Sequence, residues 1–179
     1  MTIQIFILSS LMEERNYPYK LKKKINDLQL QDLTSAFTES KLYYHFESLR
    51  KQGFIEVQEV LHEENRPDKQ VFAITEKGRS AFPKKIYKLL ESSETIGEMV
   101  IGLANIKYVD REKVCTILEN KLEHLQEKWQ LLNNIDQGQF NDPQTLPIRE
   151  FMQDYVNDRH QHAITYLTRL IQEIKDGKI

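Results

Sequence analysis

Apolar residues recur at helical spacing in two short stretches at the start of the chain, separated by a polar break. The apolar positions are Ile3, Phe6, Ile7 and Leu11 in the first stretch, and Leu21, Ile25 and Leu28 in the second. Asn16, Tyr17 and Pro18 lie in the break. Asparagine is a good helix cap and proline is tolerated in a first turn, so the pattern predicts two short helices, with Asn16 capping the second.

A third helix and a β-hairpin are predicted next. Within residues 38–52, Leu42, Phe46 and Leu49 form one apolar stripe, and Gly53 follows where a left-handed residue commonly ends a helix; the stripe predicts the third helix. Two short β-rich stretches flank a run with turn composition, which predicts the hairpin. The stretches are 54–60 and 71–74, and the turn is 64–68.

Thr75 is placed to cap a fourth helix, in which Phe82, Ile86 and Leu89 or Leu90 face inwards. Three helices followed by a two-stranded ribbon are typical of the winged helix-turn-helix, whose third helix can enter the major groove of DNA while the hairpin, or wing, reaches the backbone beside it.

The second half of the chain has a seven-residue rhythm. After a short apolar helix around residues 96–103, Asp110 is placed to cap a long helix with two interleaved apolar series. The series are Cys115, Leu122 and Trp129, and Leu118, Leu125 and Leu132. After a break rich in glycine and proline, a second long stripe begins at Ile148 and ends at Ile174. The pattern predicts an antiparallel pair of long, coiled-coil-like helices.

The second long helix carries apolar residues on more than one face. Its main stripe is flanked by Phe151, Tyr155, Ile164 and Ile171. One helical hairpin cannot bury both faces, so we expect a homodimer. The residues predicted to support dimerisation are Leu118, Leu122, Leu125, Trp129, Leu132, Leu167, Leu170 and Ile174.

Composition and charge support a folded protein with one basic half. Hydrophobic residues make up 40% of the 179 residues and charged residues 29%, and no apolar run reaches the ~18 residues of a membrane span. We therefore expect a cytoplasmic protein with no membrane contact. The net charge of -2 divides into +3 for residues 1–90 and -5 for residues 91–179, which favours an anionic partner for the first half.

Residues 41–55 and 66–79 resemble the PadR family of bacterial transcriptional regulators. The family's Leu-Tyr on the third helix, its Leu and Gly before the wing, its basic-Pro at the wing tip and its Tyr-x-Ile-Thr-x-x-Gly motif find counterparts here. They are Leu42 and Tyr43, Leu49 and Gly53, Arg66 and Pro67, and Phe72, Ile74, Thr75 and Gly78. Phe72 replaces the family's tyrosine, and Pro18-Tyr19 stands where the family usually has Gly-Tyr.

The resemblance implies a mainly α protein with a winged-helix DNA-binding domain over residues 1–90 and a helical dimerisation and effector domain over residues 91–179. The second domain is similar to the branch of the family with a large C-terminal domain. It also implies a homodimeric repressor or activator of transcription that binds double-stranded DNA and often responds to a small molecule; we expect a repressor that a small molecule relieves. Because a dimer presents two recognition helices, we expect its operator to be a pseudo-palindrome. An adaptor that has lost DNA binding and docks a protein partner is the alternative.

The predicted DNA contacts come from the third helix, the lysine run of the second helix and the wing. They are Tyr19, Lys20, Lys24, Ser40, Lys41, Tyr43, Tyr44, Ser48, Lys51, Asn65, Arg66 and Lys69. The ring of Tyr43 is expected to pack between helices, and Glu47 opposes phosphate binding. The lysine run could equally be a solvated face, and Arg66 could instead pair with its acidic neighbours.

Catalytic and metal-binding patterns are missing from the sequence. His160 and His162 lie two residues apart, so they cannot share a metal on a helix and are expected at the surface. Cys115 lies in the apolar seam. We therefore expect neither an enzyme nor a cofactor. Aromatic and cationic residues of the second half could hold an aromatic acid as effector, although core packing explains them as well: Tyr108, Trp129, Arg149, Tyr155 and Arg159.

Overall fold

The computed structural model describes residues 1–27, 37–61, 69–133 and 146–179. The chain divides into two compact units. The first comprises Met1–Leu89 and Ile101–Tyr108, and the second comprises Leu90–Val100 and Val109–Ile179. The assignment of residues 1–90 to DNA binding and of residues 91–179 to dimerisation stays a prediction.

The described residues of the first unit follow the predicted order of three helices, a hairpin and a further helix, so the winged-helix prediction is confirmed. Its elements are α1 (Thr2–Glu13), α2 (Pro18–Asp27), α3 (Glu39–Lys51), β1 (Ile55–Leu61), β2 (Lys69–Ile74) and α4 (Glu76–Ser92), whose last three residues belong to the second unit. Leu28 and the predicted turn at 64–68 lie outside the described residues.

Helix α3 has a defined start and end. The side chain of Thr38 accepts a hydrogen bond from the Lys41 amide at 3.4 Å, which caps the first turn. At the other end Gly53 has a φ of 72°, and its amide donates to the Arg50 carbonyl. The amide of Phe54 donates to the Leu49 carbonyl, which completes a Schellman motif. These local signals explain why the helix boundaries were predictable.

The core of this unit forms where α3 meets its neighbours. Leu42, Phe46 and Leu49 are buried as the stripe predicts, and the ring of Phe46 lies 4.9 Å from that of Phe72 on β2. Burial of such side chains stabilises a fold by about 1.5–3 kcal/mol each. Because the apolar stripe is committed to this core, the opposite face of α3 points to solvent.

Asn16 does not cap α2, so this part of the prediction is wrong. Its main chain forms a short bridge to Phe72, with hydrogen bonds of 3.1 Å and 2.8 Å in the two directions. Its side-chain amide donates to the Glu14 carboxylate at 3.4 Å. The first backbone hydrogen bond of α2 runs from the Leu21 amide to the carbonyl of Tyr17, the residue before the helix. Pairing with a residue distant in the sequence has replaced the local capping role.

Thr75 joins the end of α3 to the start of α4. Its hydroxyl donates to the Gly53 carbonyl at 2.7 Å and accepts from the Gly78 amide at 3.0 Å, while its own amide donates to the Phe54 carbonyl. The predicted cap is therefore confirmed. Gly78 is packed so tightly here that a Cβ atom would overlap the Phe54 carbonyl oxygen and lie 2.8 Å from Ile74.

The second unit is built around a pair of long helices, α6 (Arg111–Asn133) and α7 (Leu146–Lys175), and is preceded in the chain by the short α5 (Ile96–Leu103). Asp110 caps α6 as predicted, since its carboxylate accepts from the Lys113 amide at 3.1 Å. Glu119 pairs with Lys175 at 2.6 Å and Trp129 lies on His160, so the start of α6 meets the end of α7 and the pair is antiparallel.

The buried side chains of α6 include two residues of the predicted heptad seam and two residues outside it. Leu118 and Cys115 are buried, and so are Val114 and Ile117, which the seam did not include. Leu167, Ile171 and Ile174 are the buried apolar residues of α7. Lys121 projects from α6 and donates to the carbonyls of Glu91 and Ser93, at 2.7 Å and 2.6 Å, which stabilises the end of α4.

We expect Gly78→Ala to destabilise the first unit by about 3 kcal/mol, because the added methyl group meets backbone that cannot move aside. Gly97→Ala is the matched control, since the nearest atom to its Cβ would be the Thr95 hydroxyl at 3.9 Å, and alanine is the better helix former. Chemical unfolding followed by circular dichroism measures both. Equal stability of the two variants would contradict the tight packing at Gly78.

Candidate nucleic-acid interface

Helix α3 presents an exposed face opposite its core stripe. The predicted contact residues on it are Ser40, Lys41, Tyr43, Tyr44 and Lys51, and all five are exposed. The side chain of Tyr44 is 69% exposed and that of Tyr43 is 50% exposed. The expectation that the Tyr43 ring packs between helices is therefore wrong, because the ring lies beside the core stripe and not in it. Two aromatic rings and two lysines are available to an external partner.

Ser48 is the one predicted α3 contact that lies partly inside the structure. Its hydroxyl oxygen is 2.9 Å from the Gln52 side-chain amide and 3.5 Å from that of Gln4. The residue is half-buried. Contact with a ligand would compete with these bonds, so Ser48 is a weaker candidate than its exposed neighbours.

Glu47 is neutralised within the same helix. Both Nε and one terminal nitrogen of Arg50 donate to a single oxygen of its carboxylate, at 3.2 Å and 2.9 Å. Taken alone, the carboxylate of Glu47 predicts an obstacle to phosphate binding, but its ion pair with Arg50 changes that expectation. Their spacing of three residues was the available signal, since such residues are neighbours on a helix surface.

The lysines of α2 lie at the surface beside acidic side chains. Lys20 pairs with Glu14 at 3.0 Å, and Lys24 lies 3.9 Å from Glu13. The hydrogen bond and charge of Lys20 lower the pKa of Glu14. Tyr19, on the same helix, is 58% exposed. These ion pairs link different elements, so no local spacing in the sequence indicated them.

The wing contributes one predicted contact that the structure describes. Lys69 begins β2, is half-buried, and places its ammonium group 5.9 Å from the centre of the Tyr17 ring. Asn65 and Arg66 lie outside the described residues. The hairpin strands pair in antiparallel register from Ile55 and Ile74 outwards, with a bulge between Val57 and Glu59.

Residues 7–84 match the family model described as the transcriptional regulator PadR-like family. The match begins within α1, spans α2, α3 and both strands of the hairpin, and ends within α4. The match identifies a PadR-like domain within the chain. The resemblance indicated by the motifs is thereby confirmed, and the PadR-like domain contains the exposed face of α3.

Several solved structures are similar to the chain, and no curated protein sequence matches it. Bacillus subtilis PadR in complex with operator DNA has 16% identity and a TM-score of 0.43, over 97% of this chain and 99% of that one. The same protein with p-coumaric acid has 16% identity and a TM-score of 0.39, over 98% and 99%. The PadR-like regulator BC1756 from Bacillus cereus has 18% identity and a TM-score of 0.39, over 97% and 96%. The family model alone carries the assignment.

The predicted effector residues fall in both compact units. Tyr108 belongs to the first, where its ring packs against Phe82 at 5.4 Å. The others belong to the second: Trp129, Arg149, Tyr155 and Arg159. Trp129 is half-buried, whereas Tyr155 and Arg159 are exposed. Their assignment to a small-molecule site stays a prediction.

His160 is buried, so the expectation that it lies at the surface is wrong. It is 9% exposed, and its ring lies 5.2 Å from that of Trp129 at an angle of 33°. His162 is exposed. Trp129 lies 31 positions away in the sequence, so spacing within α7 could not reveal the burial. Among the described residues, no group of His, Cys, Asp and Glu side chains could hold a metal ion.

The residues predicted to support dimerisation separate into two sets. Leu118, Leu167 and Ile174 are buried within one chain, whereas Leu122, Leu125, Trp129 and Leu170 are half-buried; the side chain of Leu132 lies outside the described part. The large apolar side chains that α7 exposes are Leu146, Ile148, Phe151, Met152, Tyr155 and Tyr166. None of the described helices is long and apolar enough to span a membrane.

Burial of His160 predicts an acid-sensitive second unit. Burial lowers the pKa of His160, and the charges of Arg159 and Lys128 lower it further. The unfolded chain then binds more protons below about pH 6.5, so stability present at neutral pH is lost as the pH falls. We expect His160→Gln to reduce this loss, measured by denaturant unfolding at about pH 7.5 and about pH 5.5.

His162→Gln is the control, because this side chain is exposed on the same helix. It should retain the full acid sensitivity of the wild-type protein. An identical loss of stability in the His160 variant and in wild type would show that the imidazole does not contribute.

Proposed function

We propose that the chain regulates transcription by binding specific DNA sequences through its PadR-like domain, with α3 in the major groove. The exposed face of α3 carries this proposal. Tyr44 offers its ring to a thymine methyl group, while Ser40 and Lys51 offer donors to base edges or phosphates. The Glu47–Arg50 pair supports the proposal, because it removes an unpaired negative charge from beside that face.

Flanking contacts would come from α2 and the wing. Tyr19, Lys20 and Lys24 are exposed at one side of the domain, where they can bind backbone phosphates. Asn65, Arg66 and Lys69 are assigned to the wing on the basis of the motif at its tip. Such contacts set the register of the protein on the duplex and supply affinity, whereas α3 supplies sequence preference.

A homodimer completes the proposal. A single winged helix makes few base contacts, so two copies would place two α3 helices about 34–36 Å apart, or at a wider separation that matches the half-sites. The operator would then be a pseudo-palindrome. The exposed aromatic and aliphatic residues of α7 support this assembly, because surface of this kind is seldom left open to water.

The family resemblance further implies that the dimer is a repressor relieved by a small molecule. Such a ligand would act most simply by changing the separation of the two α3 helices, since a small shift prevents both from binding at once. The candidate contacts in the second unit are Trp129, Arg149, Tyr155 and Arg159.

The alternative function is an adaptor that binds another protein through its long helices and does not bind DNA. Salt distinguishes the two functions, because each lysine–phosphate contact releases counterions and makes DNA affinity fall as salt rises. Footprinting on the DNA upstream of its own gene tests the proposed function directly. A protected site with two symmetric halves supports it, and the absence of specific binding contradicts it.

We expect Tyr44→Ala and Lys51→Ala each to weaken operator binding about 5- to 100-fold at both half-sites. Lys51→Ala should also reduce the salt slope by about one if the ammonium group binds a phosphate, whereas Tyr44→Ala should leave the slope unchanged. Lys128→Ala, an exposed lysine of α6, is the control for net charge. Fluorescence anisotropy over a salt series gives all three values, and wild-type affinity in both α3 variants would refute the assigned face.

We expect Phe151→Glu to dissociate the dimer, because Phe151 is 64% exposed in one chain and its loss costs that chain little packing. Gln153→Glu adds the same charge to an exposed position of the same helix and should remain dimeric. Sedimentation velocity at micromolar concentration measures both, and circular dichroism verifies that the variants fold. A monomeric wild-type protein would rule out the proposed assembly.

A further inference from the structure

Three lysines on α2 are each held by a carboxylate of the same compact unit. Lys20 lies 3.0 Å from Glu14, and Lys24 lies 3.9 Å from Glu13. Lys22 pairs with a third carboxylate, that of Glu39, at 3.2 Å. Three of the four lysines of α2 are therefore already paired with carboxylates when no DNA is bound.

The carboxylates come from the two helices that flank α2. Glu13 is the last residue of α1 and Glu14 follows it, whereas Glu39 is the first residue of α3. Glu13 also accepts a hydrogen bond from Lys107 at 3.2 Å, so two lysines share it. The hydrogen bond and charge of Lys20 lower the pKa of Glu14, as expected for a carboxylate paired with an ammonium group.

The lysines of α3 are different. Lys41 and Lys51 are both exposed, and neither has an ion pair to any described residue. The lysines on the proposed base-reading face thus have no ion pair to a described residue, whereas three of the four on the flanking helix are paired. Most lysines of α2 are therefore paired and those of α3 have no such pair among the described residues, a difference that the net charge of +3 over residues 1–90 does not reveal.

Exposed ion pairs of this kind are weak and can exchange partners. The Lys20 and Glu14 side chains are 47% and 51% exposed, so water screens their attraction and a phosphate can replace the carboxylate. The displaced carboxylate would nevertheless remain beside the phosphate and repel it. Each pair therefore reduces the affinity that its lysine contributes to DNA binding.

We propose that Glu13 and Glu14 form a carboxylate mask that weakens the contact of α2 with the DNA backbone and so lowers affinity for duplexes of any sequence. This inference rests on the proposed function, since it assigns Lys20 and Lys24 to phosphates. The mask makes binding depend more on the contacts of α3, and it limits the time that the protein spends on non-specific DNA.

The test is the affinity of the full-length protein for a fluorescently labelled duplex of random sequence. Glu14→Gln keeps a hydrogen-bonding group beside Lys20 and removes the charge, so affinity at low salt should rise about threefold. The Glu13→Gln and Glu14→Gln double variant should bind about tenfold more tightly than wild type. Both variants should show a steeper salt dependence, and the gains should vanish at about 1 M salt.

Two further variants separate a local mask from a general charge effect. Glu76→Gln removes the same charge from the same unit, on the first turn of α4, and should leave the affinity near the wild-type value. In a Lys20→Gln background, Glu14→Gln should lose most of its effect, because the lysine that the carboxylate masks is absent.

The outcomes distinguish failure of the inference from failure of the proposed function. If the wild-type protein binds DNA and Glu14→Gln gives no gain, or Glu76→Gln gives an equal one, the mask is wrong and DNA binding stands. If neither wild type nor any of the variants binds a duplex, the proposed function itself is wrong. Thermal unfolding of each variant verifies that the exposed substitutions leave the fold intact.

Discussion

In the PadR-like domain, the hydrogen bonds of Thr75 join the end of α3 to the start of α4. One hydroxyl group links the carbonyl at the end of α3 to the first turn of α4, and the main chain of the same residue bonds to Phe54. The link is short because Gly78 has no side chain to separate the two segments. The end of α3 is therefore joined to the start of α4 by a few atoms held at close range, none of which lies on the exposed face of α3.

The residues that α3 buries determine which of its residues are exposed. Leu42, Phe46 and Leu49 are committed to the core, so Tyr44 and Lys51 must project into solvent. Electrostatics then separates two kinds of lysine within one small domain. Three of the four lysines of α2 face carboxylates of neighbouring segments, whereas Lys41 and Lys51 of α3 have no ion pair to a described residue. A domain of modest net charge can in this way keep more of its unpaired positive charge on the helix proposed to contact bases.

Much of the fold could be predicted because its signals are local. The cap of α4 at Thr75 and the left-handed Gly53 after α3 were both predicted, and each needs only neighbouring residues to act. Long-range contacts were not predictable. Asn16 has the side chain of a cap, but its main chain pairs with Phe72; His160 is buried by a tryptophan on another helix. The same reason applies to the candidate site, since helical periodicity predicts the exposed face of α3 but not which carboxylates approach the lysines of α2.

In helix α7, an apolar stripe predicts that a face is covered. It does not predict whether the same chain or a partner covers that face. In the second unit Leu167, Ile171 and Ile174 are buried within one chain, so a charged substitution among them would test folding and not assembly. The face that contains Phe151, Tyr155 and Tyr166 is exposed in that same chain. Folding and assembly can therefore be perturbed separately in one helix. A partner that covers the exposed face would gain apolar burial without disturbing the pair of helices beneath it, since the two faces use different residues.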